Sequence, residues 1–481
     1  MDATGATIRR RSFLKTGAAA VSASLPLGTL SQAVEKRTTV LDTKGKKLVG
    51  CYCSPKEILE EPKYMDALQK RLGVNVIICR AGIAMPQWLK DMNPLEGNGW
   101  MGAMPAKDDD DSELVKAIDE VHRRGMDFWL YHTGHHYGQL HRPVCAETFE
   151  GVPFSELPPV KYSLCQKLIT VCFNKPAVAN WDVAAYTYGA RNYDVDGCYV
   201  THFRYANPSF FTNLFGCACE DCQQLAADMG YDFAAMKKAS QNLRANLKKL
   251  DRGKIVLAAK TGYTFTDFLQ LLADDSAVLD WLYFRAGAVG MRLRNIHDSI
   301  HIATADRACF VSDTHNPTQS LYVGHDYADL MNGASDGLLP LAWLDYQHVS
   351  AVAAWANLLV GWVDGLDEES ALTAVLKFFG WDDLPIPRKR IADLHIGADP
   401  TVHSDVEFYS HFNKEGTLAL WTREMERLAM MNTAGMPSFP IIKGHQWTED
   451  LSRELMDRCM DIGHTGYFLQ RTEFFIDKSA L

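Results

Sequence analysis

Asp111-Ser112-Glu113-Leu114-Val115-Lys116-Ala117-Ile118-Asp119-Glu120-Val121-His122-Arg123-Arg124-Gly125 runs directly into Met126-Asp127-Phe128-Trp129-Leu130-Tyr131-His132. The first part predicts a charged amphipathic helix closed by glycine, and the second an apolar strand. The same alternation extends outward in both directions. Lys47 to Tyr52 reads as a first strand, Lys63 to Leu72 as a helix, and Val74 to Cys79 as a second strand. Asp196 to Val200 begins a fourth. Ala308 to Ser312, Gly337 to Trp343, Phe439 to Lys443 and Gly466 to Gln470 follow. Glu449 to Ile462, closed by Gly463, fits the helix between the last two. Strands alternating with helices argue for parallel β/α units, and eight in this order predict a (β/α)8 TIM barrel. Asp280 to Phe284 reads as the start of a long helix through Ile300, whereas Lys254 to Ala259 stays open between strand and helix. Residues 364–415 are rich in Asp, Glu and His and contain Leu384-Pro385-Ile386-Pro387. They are expected to form an insertion before the last two strands. No internal repeat, low-complexity tract or linker divides the chain.

The composition agrees with that architecture. The chain has 481 residues, 47% hydrophobic and 22% charged, enough apolar matter for one or two substantial cores. By length alone about three small domains or one elaborated barrel would fit. Aromatic content of 11% and 34 glycines without a period exclude disordered and collagen-like chains. Acids outnumber Lys and Arg by 59 to 49, for a net charge of -10, which argues against a nucleic-acid partner.

Arg9, Arg10 and Arg11 precede Ser12-Phe13-Leu14-Lys15, and residues 16–30 carry no charge. A basic segment, a modest apolar segment and small residues at Ser31 and Ala33 make a secretory signal over residues 1–33, cut near Ala33. The arginines with Ser-Phe-Leu-Lys look like a twin-arginine signal, which engages the twin-arginine export machinery and carries chains across already folded. A stable membrane anchor is disfavoured, because about 15 weakly apolar residues fall short of the roughly 20 that a span needs. The expected mature protein is soluble and periplasmic or extracellular. Residues 1–33 hold four bases and one acid, so its charge is -13.

Twelve cysteines in an exported chain suggest disulfides, but folded export permits metal loading in a reducing cytoplasm first. Cys217-Ala218-Cys219-Glu220-Asp221-Cys222 has C-x-C-x-x-C spacing, so three thiolates can converge on one ion. Tetrahedral zinc needs a fourth ligand, with Cys172 the first candidate and Cys165 the second. The plainer alternative is buried small side chains or a disulfide pair. Cys51, Cys53, Cys79, Cys198 and Cys309 fall in apolar strand-like runs and read as core.

Asp194-Val195-Asp196-Gly197-Cys198-Tyr199-Val200-Thr201-His202-Phe203-Arg204-Tyr205, with the Cys217 cluster after it, resembles uncharacterised glycosyl-hydrolase-like TIM-barrel proteins. Their fourth strand typically reads Asp-Gly-apolar-x-apolar-Asp-Tyr-apolar-Arg-Tyr, followed by cysteines. Val311-Ser312-Asp313, Val323-Gly324-His325-Asp326-Tyr327 and Asp336 to Trp343 look like the fifth and sixth strand region of the same group. Cys172 with the C-x-C-x-x-C run is similar to the zinc site of family-42 β-galactosidases. The resemblance spans roughly residues 47–475 and implies a carbohydrate-active barrel, with the substrate open.

This sequence departs from that pattern at Thr201, where the relatives carry Asp. Glycoside hydrolysis usually needs two carboxylates, and sites in this fold lie at the C-terminal strand ends. There the sequence offers Asp313, Asp345 and Glu473. Asp313 and Asp345 are the expected catalytic pair, although Asp345 also suits a helix N-cap. Arg80, His132, His202, Arg204 and His445, with Arg471, would make a cationic mouth that binds an anionic substrate group. Alternatively, several of them tie down loops or pair with the aspartates. The run from Tyr131 to His136 is a weaker second metal candidate, because His135 and His136 are adjacent and point apart. Three readings follow: an exported glycoside hydrolase on a poly- or oligosaccharide, a polysaccharide lyase on uronic-acid sugars, or a degenerate carbohydrate-binding barrel.

Overall fold

The computed structural model describes residues 41, 45–95, 100, 102–133, 142–158, 161–162, 171–264, 267, 275–340, 349–394, 414–443, 449–470, 472 and 475–481. The signal segment, Cys165, His135, His136, Asp345, His445, Arg471 and Glu473 lie outside them. Among the described residues, no helix is long and apolar enough to cross a membrane.

The predicted barrel is present. Strands Leu48–Cys53 (β1), Val76–Cys79 (β2), Asp127–Thr133 (β3), Gly197–Thr201 (β4), Cys309–Thr314 (β5), Leu338–Pro340 (β6), Ile441–Lys443 (β7) and Gly466–Gln470 (β8) form one sheet. Its order is β6-β5-β4-β3-β2-β1-β8-β7 and its ladder pairs are parallel. The gap between β6 and β7 is bridged at Leu338, whose N–H donates to Pro437 O and whose carbonyl accepts from Phe439 N, both at 2.8 Å.

Around the sheet lie Pro55–Glu60 (α1), Pro62–Leu72 (α2), Ser112–Arg123 (α3), Pro176–Asn192 (α4), Glu220–Asp228 (α5) and Phe233–Leu247 (α6). Arg252–Thr261 (α7), Ala277–Thr304 (α8), Ser350–Trp362 (α9), Glu368–Phe379 (α10), Lys414–Met431 (α11) and Glu449–Ile462 (α12) follow. In α3, Leu114, Ala117, Ile118 and Val121 recur at helical spacing and are buried. Gly125 then takes φ 72°, a conformation that favours glycine, and turns the chain into β3. The stretch left open between strand and helix, Lys254 to Ala259, lies inside α7, which starts on an Asp251 side-chain cap. Asp280 to Phe284 lies in the long helix α8, as expected. Within residues 364–415, α10 packs on α9 and α7, and residues 395–413 are not described.

Strand alternation divides the core in two. Val76, Ile78, Trp129, Tyr131, Tyr199, Cys309, Val311, Leu339, Ile441 and Phe468 fill the barrel interior, while intervening residues pack under the helices. Trp129 and Phe468 meet there with ring centroids 5.3 Å apart. Gly50 and Gly197 make that possible. A Cβ on Gly50 would lie 2.6 Å from the Phe468 ring, and one on Gly197 2.8 Å from Trp129. These strands therefore deliver Tyr52, Arg80, Tyr131, Thr201, Asp313 and Gln470, the next inward positions, to the C-terminal mouth.

Candidate functional site

Asp313 extends the inward series Cys309, Val311 at the end of β5 and is fully buried. Its neighbour across the ladder is the end of β4, since Val200 pairs with Ser312. Thr201 Oγ1 donates to Asp313 Oδ2, and the His202 N–H reaches Oδ1 at 2.9 Å and Oδ2 at 3.0 Å. His202 has φ 59°, so the chain turns sharply after β4 and aims that N–H back at the carboxylate. Burial pushes the Asp313 carboxyl up to about 6, against the pull of the Arg204 guanidinium, the Thr201 hydroxyl and the His202 amide. Asp313 is therefore ionised above about pH 6 while carrying almost no water.

Arg204 is itself buried. Its Nη1 donates to Tyr205 O and its Nη2 to His202 Nδ1, both at 3.1 Å. It fixes the loop after β4 and sets the field at Asp313. His325 closes the same loop from the far side. Its Nδ1 accepts from His315 N at 2.9 Å and its Nε2 donates to Phe203 O at 3.1 Å. Burial keeps that ring neutral, with a pKa near 3.

Tyr52, Tyr131 and Tyr199 form the floor of the mouth, with ring centroids 5.2 to 5.9 Å apart. Burial pushes the Tyr52 and Tyr199 phenols well above their usual range, and the nearby Asp313 charge adds to this. Gln470 points inward from β8, and its buried Oε1 has no hydrogen-bond partner among the described residues. Among the described C-terminal strand ends, Asp313 is the one inward carboxylate. Sequence reasoning did not bring these three tyrosines together, yet their every-second-residue placement on the strands was the available signal.

The expected cationic mouth is only partly assembled. Arg80 is exposed at the end of β2, its Nη2 3.2 Å from Met104 Sδ. His202 and Arg204 bind each other rather than an open space. His132 must be corrected outright: it faces the helix layer and stacks on Tyr186 of α4 at 4.4 Å. Trp129 and Tyr131 take the inward positions of β3, so alternation sends His132 outward. Burial, with the Arg80 charge second, lowers its pKa to about 3 and keeps it neutral.

Four cysteines come together as the spacing suggested. Cys172, Cys217, Cys219 and Cys222 are all buried, and their sulfurs lie within 4.8 Å of one another. Cys172 Sγ is 3.6 Å from Cys219 Sγ and 3.5 Å from Cys222 Sγ, with no disulfide formed. Glu147 N and Asn174 Nδ2 each donate to a sulfur at 3.3 Å, to Cys217 and Cys222 respectively. Such a group can hold a metal ion. It joins the loop after β3 to the loop after β4, above the mouth.

No known protein family matches this sequence, and no curated protein does. Among solved structures, the chain is similar to the PgaB (BpsB) glycoside hydrolase domain from Bordetella bronchiseptica. The identity is 9% and the TM-score 0.50, over 90% of this chain and 97% of that one. The β-amylase catalytic domain from Paenibacillus polymyxa matches at 10% identity and TM-score 0.45, over 90% and 94%. At these identities the first likeness shows the barrel fold, and the second adds nothing to it.

The network around Asp313 has a measurable consequence. In Thr201→Val the carboxylate loses a charge-assisted hydrogen bond, so its pKa should rise above about 6. Infrared titration of the carboxyl band, assigned by its loss in Asp313→Asn, checks this. A pKa unchanged by the Thr201 substitution contradicts the network.

Proposed function

We propose that the protein is an exported glycoside hydrolase acting on a poly- or oligosaccharide, with Asp313 and Asp345 as its two carboxylates. The observation that carries this reading is Asp313, a mouth carboxylate positioned by three hydrogen bonds and ionised at neutral pH. A glycosidase needs one carboxylate as base or nucleophile and one as acid. Asp313 suits the first role. Asp345 follows β6, the neighbouring strand, and is proposed as the acid. The glycoside hydrolase domain of the structural neighbour supports the same reaction class. The tyrosine floor and Gln470 offer apolar faces and polar tips suited to sugar rings. Arg80 at the rim and His445, which follows β7 in the sequence, are the proposed contacts for an anionic sugar, with Arg204 and His202 acting behind them on Asp313.

The lyase reading loses support on the same geometry. It needs a base near pH 7, but burial holds the Tyr52 and Tyr199 phenols protonated and His132 faces away. The decisive experiment incubates the purified chain with neutral, uronic and sulfated polysaccharides. New reducing ends are expected, with an acid limb of kcat/KM near pH 6. Asp313→Asn should lose about three orders of magnitude in turnover. Its melting temperature at pH 8 should be no lower than that of the parent. The sign follows from the raised carboxyl: the protonated form is the better tolerated, so its stabilising contribution fades as pH rises through about 6. Ultraviolet-absorbing unsaturated ends would instead establish a lyase, and binding without either product a degenerate barrel.

The four-cysteine cluster is proposed to hold one structural zinc. Tetrahedral zinc with Zn–S of about 2.3 Å places sulfurs about 3.8 Å apart, close to the spacings from Cys172. N–H donors on the sulfurs, as from Glu147 and Asn174, stabilise thiolates. The ion would tie the β3 and β4 loops together and leave no position for substrate. Metal analysis should find this zinc, and Cys219→Ser should lower the content by one equivalent; an unchanged content there would refute the assignment.

Residues 1–33 are proposed to direct twin-arginine export. Replacing Arg10 and Arg11 by lysine should keep the protein in the cytoplasm. Efficient arrival in the periplasm would show that another route carries it.

A further inference from the structure

A second cluster of ligating side chains lies at the opposite end of the barrel. His297 and His301 stand one turn apart on α8, with ring centroids 4.1 Å from each other. Both turn Nε2 toward Asp336, two residues before β6. His297 Nε2 is 3.3 Å from Oδ1, and His301 Nε2 is 2.9 Å from Oδ2. The other ring nitrogens also face carboxylates. His297 Nδ1 lies 3.1 Å from Asp298 Oδ1, and His301 Nδ1 lies 2.8 Å from Asp306 Oδ1. The side chains of His297, His301 and Asp336 are all about nineteen-twentieths buried.

We infer that His297, His301 and Asp336 form a second metal site, taking a zinc-class divalent cation at the N-terminal end of the barrel. Donor counting favours the ion. A neutral imidazole has one donor and one acceptor nitrogen, yet all four ring nitrogens here face carboxylate oxygens. His297, His301 and Asp336 converge in one buried place, with their ligand atoms within 4.8 Å of one another, as a single ion requires. With a divalent cation, each Nε2 becomes a ligand and each Nδ1–H donates to its own aspartate. That is the carboxylate–histidine–metal arrangement that orients ligating imidazoles elsewhere. The spacing agrees as well. Donors about 2.0–2.1 Å from a tetrahedral ion sit about 3.4 Å apart, against 2.9 and 3.3 Å here.

The position assigns the role. Asp336 Oδ2 also accepts from Phe310 N of β5 at 2.7 Å. An ion there would clamp the C-terminal half of α8 to the starts of β5 and β6, at the other end of β5 from Asp313. Conserving geometry at this barrel face serves stability rather than chemistry.

Metal analysis of the full chain tests the site independently of the thiolate cluster. His301→Gln should lower the zinc content by one equivalent while Cys219→Ser lowers it by a different one, the two losses adding in the double variant. Unchanged zinc in a folded His301→Gln protein overturns the inference. Should a variant not fold, cobalt titration of the metal-stripped parent decides. One equivalent should bring weak visible bands without sulfur-to-cobalt charge transfer. A titration in which no equivalent carries such thiolate-free bands also overturns it.

Discussion

Holding a carboxylate inside a barrel end with no exposed surface is the demand that organises the β4–β5 side of this molecule. An ionised Asp313 without partners would cost several kcal/mol. Thr201 and His202 supply the hydrogen bonds, but only because the chain enters the left-handed region at His202. A non-glycine residue there is strained by about 1–3 kcal/mol, so the loop beyond must be overdetermined. It is. Arg204 bonds Tyr205 O, His325 bonds Phe203 O, and the buried Arg285 guanidinium lies 4.0 Å over the Tyr205 ring. Arg285 also donates to Tyr322 O and Asn213 O, tying the loop to α8 and to the segment after β5.

The restraint continues to the cysteines. Tyr205 packs edge-on against Phe173 at 4.9 Å, next to Cys172, and the same loop runs on to Cys217. Loops after β3 and β4 are thus joined twice, once by aromatic packing and once by the sulfur cluster. The β6–β7 side has no comparable device among the described residues, and Leu338 alone bridges it by main-chain bonds. The mouth is accordingly rigid on the side of Asp313.

The barrel was legible because its strands are short apolar runs punctuated by glycine-closed helices, and α3–Gly125–β3 shows that grammar in one stretch. The stretch Lys254 to Ala259 was ambiguous because a short apolar run carries no period of its own; the Asp251 cap decides it for helix. Asp313 could be placed as the end of an inward series, and Cys172 as the fourth member of the sulfur cluster, although Cys165 competed on spacing alone. His132 was misplaced because composition near a strand end says nothing of parity until the inward residues are known. Once Trp129 and Tyr131 are inside, His132 must be outside. The His297–His301–Asp336 group could not be anticipated at all. Its helical pair is visible in the sequence, but its carboxylate comes from the start of another strand.

Thr201 changes meaning in this light. Two carboxylates at the ends of adjoining β4 and β5 would lie within hydrogen-bond reach and compete for one proton, since like charges so close cannot both ionise. A threonine at the β4 position removes that competition and donates to the remaining carboxylate instead. Asp313 then keeps its charge at neutral pH despite complete burial, which a paired neighbour would have prevented. On the proposed hydrolase reading, the acid and the base come from β5 and from the segment after β6, one strand further round the barrel from β4. Threonine at the end of β4 is therefore compatible with a working pair, provided the partner comes from the side that Thr201 does not occupy.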